Sequence, residues 1–413
     1  MSFDIALSGI QAINESLNST SQNIANAGTY GYKSSRANFS SLVSGDVQTG
    51  VMIGSTTQSI GKQGGVLNTG RGLDASINGR GFFITKNQNS GQVEYTRVGI
   101  FDASKDGFLV DATGRKVQGY PIKTGTTTLG ALGDVPIPTG SIPAVASAKM
   151  NYVGNMSADW TAPATAWVAA TPTATPDPSM FNMSKASVLY DTLGGKHTLT
   201  QYFARTASTA DSVDVHYVLD GTEVGGPTAA VALKFDTTTG QLTAPTGSSF
   251  LLDLTTFTPA PANGAKLGKV TIDYTGTTGF AGEATTTANA ADGYAAGTFT
   301  GVALGTDGSV IASYNNGQKQ SVGRLAIATF PDEGSLKAID GTSWIESVNS
   351  GTPLVNAPGV GMGGNINTSS LEQSNVDITS ELVGLMTSQR NYQANSKVIQ
   401  TESTMLQSLM QAI

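Results

Sequence analysis

Gly359, Gly361 and Gly364 in the stretch GVGMGG spell GxGxxG, a spacing that lets backbone approach a dinucleotide pyrophosphate at a helix N-terminus. That chemistry needs a strand before the first glycine and a helix directly after the third. NAPGVGMGGNINTSS offers instead a Pro/Gly loop leading into polar residues, so it reads as a turn-rich link. DASKDG places Asp102, Ser104, Asp106 and Gly107 at the first, third, fifth and sixth positions of a calcium loop. The twelfth position holds Thr113 where a bidentate Glu is required, and the stretch reads as a hairpin turn. His197 and His216 are the two histidines, both in strand-like runs and without HxxxH or paired carboxylate spacing. There is no GxSxG elbow, and carboxylates are sparse for acid/base work of the glycosidase type. No catalytic residue, metal or cofactor is expected, and the chain does not read as an enzyme.

Composition narrows the remaining classes. A chain of 413 residues exceeds one ordinary domain, so two or three folding units are expected. Charged residues make up 13%, against about 25% in average soluble proteins, and the surface must be largely polar but uncharged. A net charge of -7 lacks the basic footprint that phosphate contacts require, which argues against nucleic acid and anionic membranes as partners. Absence of Cys removes disulfides, thiolate catalysis and thiolate metal sites. The opening MSFDIALSGIQAINESLNST carries no Lys, no Arg and no continuous apolar core, so no cleavable secretory signal is expected. No run of 18 apolar residues suggests membrane insertion.

The elements are more informative than the motifs. Phe3, Ile10, Leu17 and Ile24 repeat at intervals of seven, with Ala6, Ile13, Thr20 and Ala27 three places later. This is the a/d seam of a coiled-coil-like helix. At the other end Leu371, Ile378, Leu385, Tyr392, Ile399, Leu406 and Ile413 form a second seven-residue column. Away from the seams the faces are mostly Asn, Gln, Ser and Thr, and an uncharged polar face of this kind can be buried against other copies without desolvating ions. Between the ends, short alternating runs broken by turn residues predict strands. The fold class is therefore mainly β and multidomain: two discontinuous β domains, with N- and C-terminal helices forming a coiled-coil-like inner layer. The expected boundaries are 1–27 and 371–413 for the helices, 28–70 for an extended linker, 71–147 with 291–370 for an inner β domain, and 148–290 for an inserted outer β domain. Within the insert, SADWTAPATAWVAATPTATPDPSM reads as an exposed loop.

Three segments carry a family resemblance. NIANAGTYGYK, with Asn23, Asn26, Thr29, Gly31, Tyr32 and Lys33, resembles the N-terminal signature of bacterial flagellar rod and hook axial proteins. LDASINGRGFF at 73–83 is similar to the motif that opens their folded domain, and the closing segment from SNVDITSELVG to the C-terminus is similar to their last helix. VLYDTLGGKHTLTQYFAR, in the insert, looks like the outer domain of the hook branch.

The resemblance implies a structural subunit of the flagellar hook. Such subunits polymerise with copies of themselves into a curved, flexible tube that passes motor torque to the filament. It also implies the distal rod, hook cap and hook–filament junction proteins as partners, and unfolded export through the type III gate without a signal peptide. Phe3 and Leu7, spaced Phe-x-x-x-apolar, resemble the segment that engages that gate. Family members that crosslink through Cys and Lys have no counterpart here. Other readings are a distal rod or hook-junction axial protein, a secreted β-rich hydrolase, or an adhesin; the last two leave the terminal heptads unexplained. Such narrow stripes further predict ends, 1 to about 70 and about 366 to 413, that order only when neighbours bury them.

Overall fold

Helix α1 (Ser2–Ala25) and helix α2 (Ile378–Gln411) lie at the two ends of the chain, and nearly all regular structure between them is strand. The computed structural model describes residues 2–44, 47–123, 126, 128–206, 211–225, 230–258 and 264–411. Ile413 of the C-terminal column lies outside them. Backbone contacts divide the chain into two compact units, 1–139 with 300–313 and 319–413, and 140–299 with 314–318.

Both helices are shorter than their hydrophobic columns suggest. Asp377 caps α2: its Oδ1 accepts from the Thr379 N–H at 3.0 Å and its Oδ2 from Ser380 Oγ at 3.0 Å. The column therefore loses Leu371 as a helical seam residue. Leu371 belongs to the strand Ser370–Glu372, opposite Leu67 of Val66–Asn68, and is buried. An apolar residue seven places before a helix start matches the heptad by spacing alone; the cap decides where the helix begins.

The expected linker 28–70 is likewise not a plain extended passage. Strands β1 (Ser35–Ser44) and β2 (Val47–Gln58) pair antiparallel from Ser35 opposite Gln58 to Ser44 opposite Val47, with bulges at Asn38/Phe39 and Leu42/Val43. A run free of Pro and rich in β-branched residues pairs readily once a turn brings its halves together. The hairpin packs along α1. Ser19 Oγ donates to the Ser35 carbonyl at 2.9 Å, and the Val51 N–H donates to Ser8 Oγ at 3.2 Å. Gly50 permits this approach, since a Cβ there would lie 2.5 Å from Ser8 Oγ.

The rest of the first unit is antiparallel sheet. Strand β3 (Val66–Asn68) pairs Ser370–Glu372, and β4 (Ala75–Asn78) pairs Asn365–Thr368. Strand β5 (Phe82–Lys86) pairs β6 (Val93–Thr96), Lys116–Pro121 and Ile327–Thr329. LDASINGRGFF spans β4, the turn and the start of β5. Gly81 in that turn has φ 114°, and a Cβ would strike Ile327 Cγ2 at 2.3 Å. Phe82, Tyr95, Phe330 and Trp344 form an aromatic core, with Tyr95 edge-on to Phe330 at 4.8 Å between ring centres.

The second unit contains a meander of Met183–Tyr190, Lys196–Arg205, Ser212–Leu219, Val231–Phe235 and Leu242–Ala244. A four-stranded sheet accompanies it, in which Lys149–Asn155 runs parallel to Lys269–Asp273. Tyr152, Leu199, Phe203, Tyr217 and Tyr274 are buried in one core. Incoming and outgoing chains run side by side here: Ile142 and Gly297 exchange backbone hydrogen bonds at 2.8 and 3.1 Å, Val145 and Tyr294 at 3.0 Å both ways.

Candidate functional site: the joint of the terminal helices

The signature NIANAGTYGYK folds into the junction where α1 ends and the β strands of the first unit begin. Asn23 is its most connected residue. Its Oδ1 accepts from the Ser35 N–H at 2.9 Å and from Tyr32 Oη at 3.3 Å, while its Nδ2 donates to the Ser35 carbonyl at 2.8 Å and to Glu381 Oε1 at 2.9 Å. One amide side chain thus ties the end of α1 to the hairpin and to the first turn of α2. Asn26 Nδ2 donates to the Gln22 carbonyl and its Oδ1 accepts from Thr29 Oγ1, which closes the helix terminus. Gly31, at φ 67° in the turn beyond the helix end, lets the chain head for β1 and donates its N–H to the Glu372 carbonyl at 2.8 Å.

Lys33 enters the sheet side of the junction fully buried. Its Nζ donates to Glu372 Oε1 at 2.6 Å and to the Lys62 carbonyl at 2.8 Å. Glu372 also accepts from Arg97 Nη1 at 3.2 Å and from the Gly64 N–H at 3.1 Å. Two cations therefore share one carboxylate; Arg97 Nη2 donates to the Gly79 carbonyl at 2.9 Å, while its buried Nε has no partner among the described residues. Burial pushes both Lys33 and Arg97 below their ordinary pKa values, with Glu372 opposing the shift in each case. Asn375 completes the lock, accepting from the Ser34 N–H at 2.7 Å and donating to the carbonyls of Ser59 and Lys62, both at 2.9 Å.

From this joint the helices run antiparallel in one register. Asn23 meets Glu381 at one end, and at the other a Cβ on Gly9 would lie 2.8 Å from Asn395 Nδ2, so paired positions sum to 404 in both places. Half-buried positions on α2, namely Glu381, Gly384, Leu385, Ser388, Asn395, Ser396, Ile399 and Glu402, trace its stripe toward α1. On α1 the most buried positions are small: Ala6, Ala12, Ser19, Thr20 and Asn23. Ile10, Ile13, Leu17 and Ile24 are half-buried, and Phe3 and Leu7 are exposed. Of the α2 column, Leu385 and Ile399 lie on the α1 side, whereas Ile378, Tyr392 and Leu406 stay exposed. No α2 residue among those described is fully buried.

Glu372, Arg97 and Asn375 were not singled out by sequence reasoning. The one available signal was a Glu in a chain poor in charge, read as part of a helix face. The other motifs resolve as turns or packing. Gly359 and Gly361 sit at φ 73° and 66° in a loop, and Gly107 at φ 76° in a hairpin. His197 lies between Asp220 (2.6 Å) and Asp191 (3.2 Å). Burial opposes the charged ring, but the two carboxylates outweigh it and raise its pKa. His216 bonds Glu223 at 3.0 Å under the stacked ring of Trp167. Among the described residues no group of three His, Asp or Glu side chains is placed to hold a metal.

Terminal helices locked to a β core place this chain among structural rather than catalytic folds, and its similarity to known proteins gives the family. Residues 76–158 match the "Flagellar hook protein FlgE/F/G D1 domain", 155–294 the "Flagellar basal body protein FlaE D2 domain", and 367–412 the "Flagellar basal body rod FlgEFG protein C-terminal". The flagellar hook protein FlgE of Salmonella typhimurium is 32% identical over 99% of both chains. That of Brucella suis is 31% identical over 98% of this chain and 96% of the relative. The crystal structure of Helicobacter pylori flagellar hook protein FlgE2 shares the fold, with a TM-score of 0.51 and 14% identity over 74% of this chain and all of that one. The chain belongs to the flagellar hook protein family, and its role is structural rather than catalytic.

Proposed function

We propose that this chain is the self-assembling subunit of a flagellar hook: copies polymerise through their terminal helices into a curved tube that transmits torque between motor and filament. The observation that carries this reading is the helix pair. Its antiparallel packing leaves Ile378, Leu382, Val383, Met386, Tyr392, Val398 and Met405 exposed on α2. Fully burying one such apolar side chain contributes about 1.5–3 kcal/mol, so this set, spread around much of α2, offers ample drive for association with several neighbours. The buried joint holds the helix pair to the sheet, and torque carried by one passes to the other. Negative-stain microscopy of concentrated protein tests the proposal: tubes or curved polymers are expected, and dispersed particles alone at all concentrations would refute it.

The same reading brings distal rod, cap and junction proteins as neighbours, and export through the flagellar type III gate with Phe3 and Leu7 as the engaging pair. Both are exposed in the folded chain, at 42% and 39%, so truncating Phe3 costs the fold little. Phe3→Ala should lower secreted protein while cytoplasmic protein persists; normal secretion with failed assembly would assign Phe3 to packing alone.

A further inference from the structure

The two helices are level at the joint and uneven at the far end. In the register that pairs Asn23 with Glu381, Ser2 of α1 falls opposite Glu402, and residues 403–411 of α2 run on without a stretch of α1 beside them. This overhang, STMLQSLMQ, has no charged residue. Met405, Leu406, Leu409 and Met410 are 64%, 55%, 60% and 78% exposed, and their spacing puts them on one helix face.

Midway along the helix pair there is an open cleft of about 330 Å³, between α1, α2 and the hairpin. Ala12, Ile13, Phe39, Val51 and Ala394 give it apolar walls, with Asn391 and Asn395 at its polar side. It is uncharged, like the overhang. Within one chain the two cannot meet: α2 is continuous, and Leu406 stands about 20 Å along its axis from the cleft centre near Gln393, at 1.5 Å per residue.

We infer that the cleft receives the α2 overhang of a second copy, with Met405, Leu406, Leu409 and Met410 as the inserted face. Unbranched Met side chains suit an irregular cleft lined by a ring and small residues. The inference rests on the self-assembly reading and adds to it which segment enters which groove, and in which axial offset, about 20 Å between neighbours whose helices lie alike.

Absence of native Cys permits a direct test. Full-length Val51→Cys and Leu409→Cys chains are mixed, polymerised and oxidised, and a second pair, Phe39→Cys with Met405→Cys, is run in parallel. A mixed disulfide dimer is expected in polymers, with neither variant alone giving a comparable band and a Val188→Cys control giving none with Leu409→Cys. A chain ending at Ser403 should need at least tenfold more protein to polymerise while its β core melts as before. Polymers visible by microscopy without either mixed dimer, or unimpaired polymerisation of the truncated chain, would overturn this inference and leave self-assembly standing. No polymer from the unmodified chain would overturn both.

Discussion

Lys33 Nζ and Glu372 Oε1 lie 2.6 Å apart with both side chains buried, joining the residue that leaves the N-terminal signature to the strand that leads into α2. Removing one partner of a buried pair strands the other, at a cost of about 3–5 kcal/mol. Glu372→Ala strands two cations, Lys33 and Arg97, whereas Lys33→Met leaves Arg97 and Glu372 as a matched pair. Glu372→Ala should therefore destabilise the first unit far more than Lys33→Met. Urea unfolding followed by Trp344 fluorescence, in chains carrying Trp160→Phe and Trp167→Phe, reads that unit. Equal effects would show that the charge balance of the cluster does not matter.

Asn23 and Glu381 make a second testable pair. Asn23→Ala leaves the half-buried Ser35 N–H without its acceptor and Glu381 without its donor, a loss of about 1 kcal/mol. Asn23→Asp keeps the acceptor but faces Glu381 with a like charge. It should be at least as harmful, and Glu381→Gln should rescue it while doing nothing for Asn23→Ala. Failure of that rescue would mean that the two side chains are not energetically coupled.

How much of this was legible in the sequence follows from what each feature depends on. Helices at both ends, strands between them and the signature all rest on local spacing, and spacing can be read directly. Lys33 belongs to a legible motif, but its partner Glu372 lies 339 residues away, and nothing local in either points to the other or to Arg97, the second cation on that carboxylate. The hairpin of β1 and β2 escaped notice because its Gly, Ser and Thr content reads as linker; packing on α1 makes it structure. Leu371 shows the reverse error, a residue in heptad phase that the Asp377 cap excludes from the helix.

Acid should loosen the start of α2. Hydrogen bonds from Ser380, side chain foremost and then backbone, and from the Thr379 N–H hold Asp377 below its ordinary pKa of 3.8. A depressed carboxyl contributes stability above its unfolded value and loses it as pH falls through the folded one. Helical circular dichroism should thus fall as pH drops below about 4, and Asp377→Asn, which still caps but does not titrate, should blunt that loss. An identical acid profile for the two chains would remove Asp377 from the account.

The insert is proposed to fold alone. Its chain enters and leaves through the Ile142/Gly297 and Val145/Tyr294 pairs, so a short linker can bridge the gap when residues 148–290, the stretch expected from sequence, are removed. The remaining chain should be soluble and unfold cooperatively, and the excised residues 140–299 should do the same. Residues 314–318 return to the second unit, where Asn316 Nδ2 donates to the Ala295 carbonyl at 2.7 Å, so the excised piece should be somewhat less stable than in the whole chain. Aggregation of both pieces would mean one shared core.

The helix pair is the last and most consequential case. Isolated helices gain most of their stability from tertiary packing, and α2, with 34 residues, has no fully buried one among those described. Near the joint Asn23, Lys33, Glu372 and Asn375 hold the pair to the sheet, so the segments from 31 to 35 and 370 to 377 should stay ordered, a narrower disordered region than the sequence stripes suggest. Beyond Leu385 no α2 residue among those described is more than half-buried, and ordering costs about 1–2 kcal/mol per residue. In the dilute monomer, limited proteolysis should clip α1 before Ser19 and α2 after Ser388, leaving a resistant core, and polymerisation should protect both sites and add helical circular dichroism. Leu385→Asp should block polymerisation while that core keeps its melting profile. A monomer with full helical signal and uncut ends would show instead that the pair is already stable on its own, and assembly would then dock preformed helices.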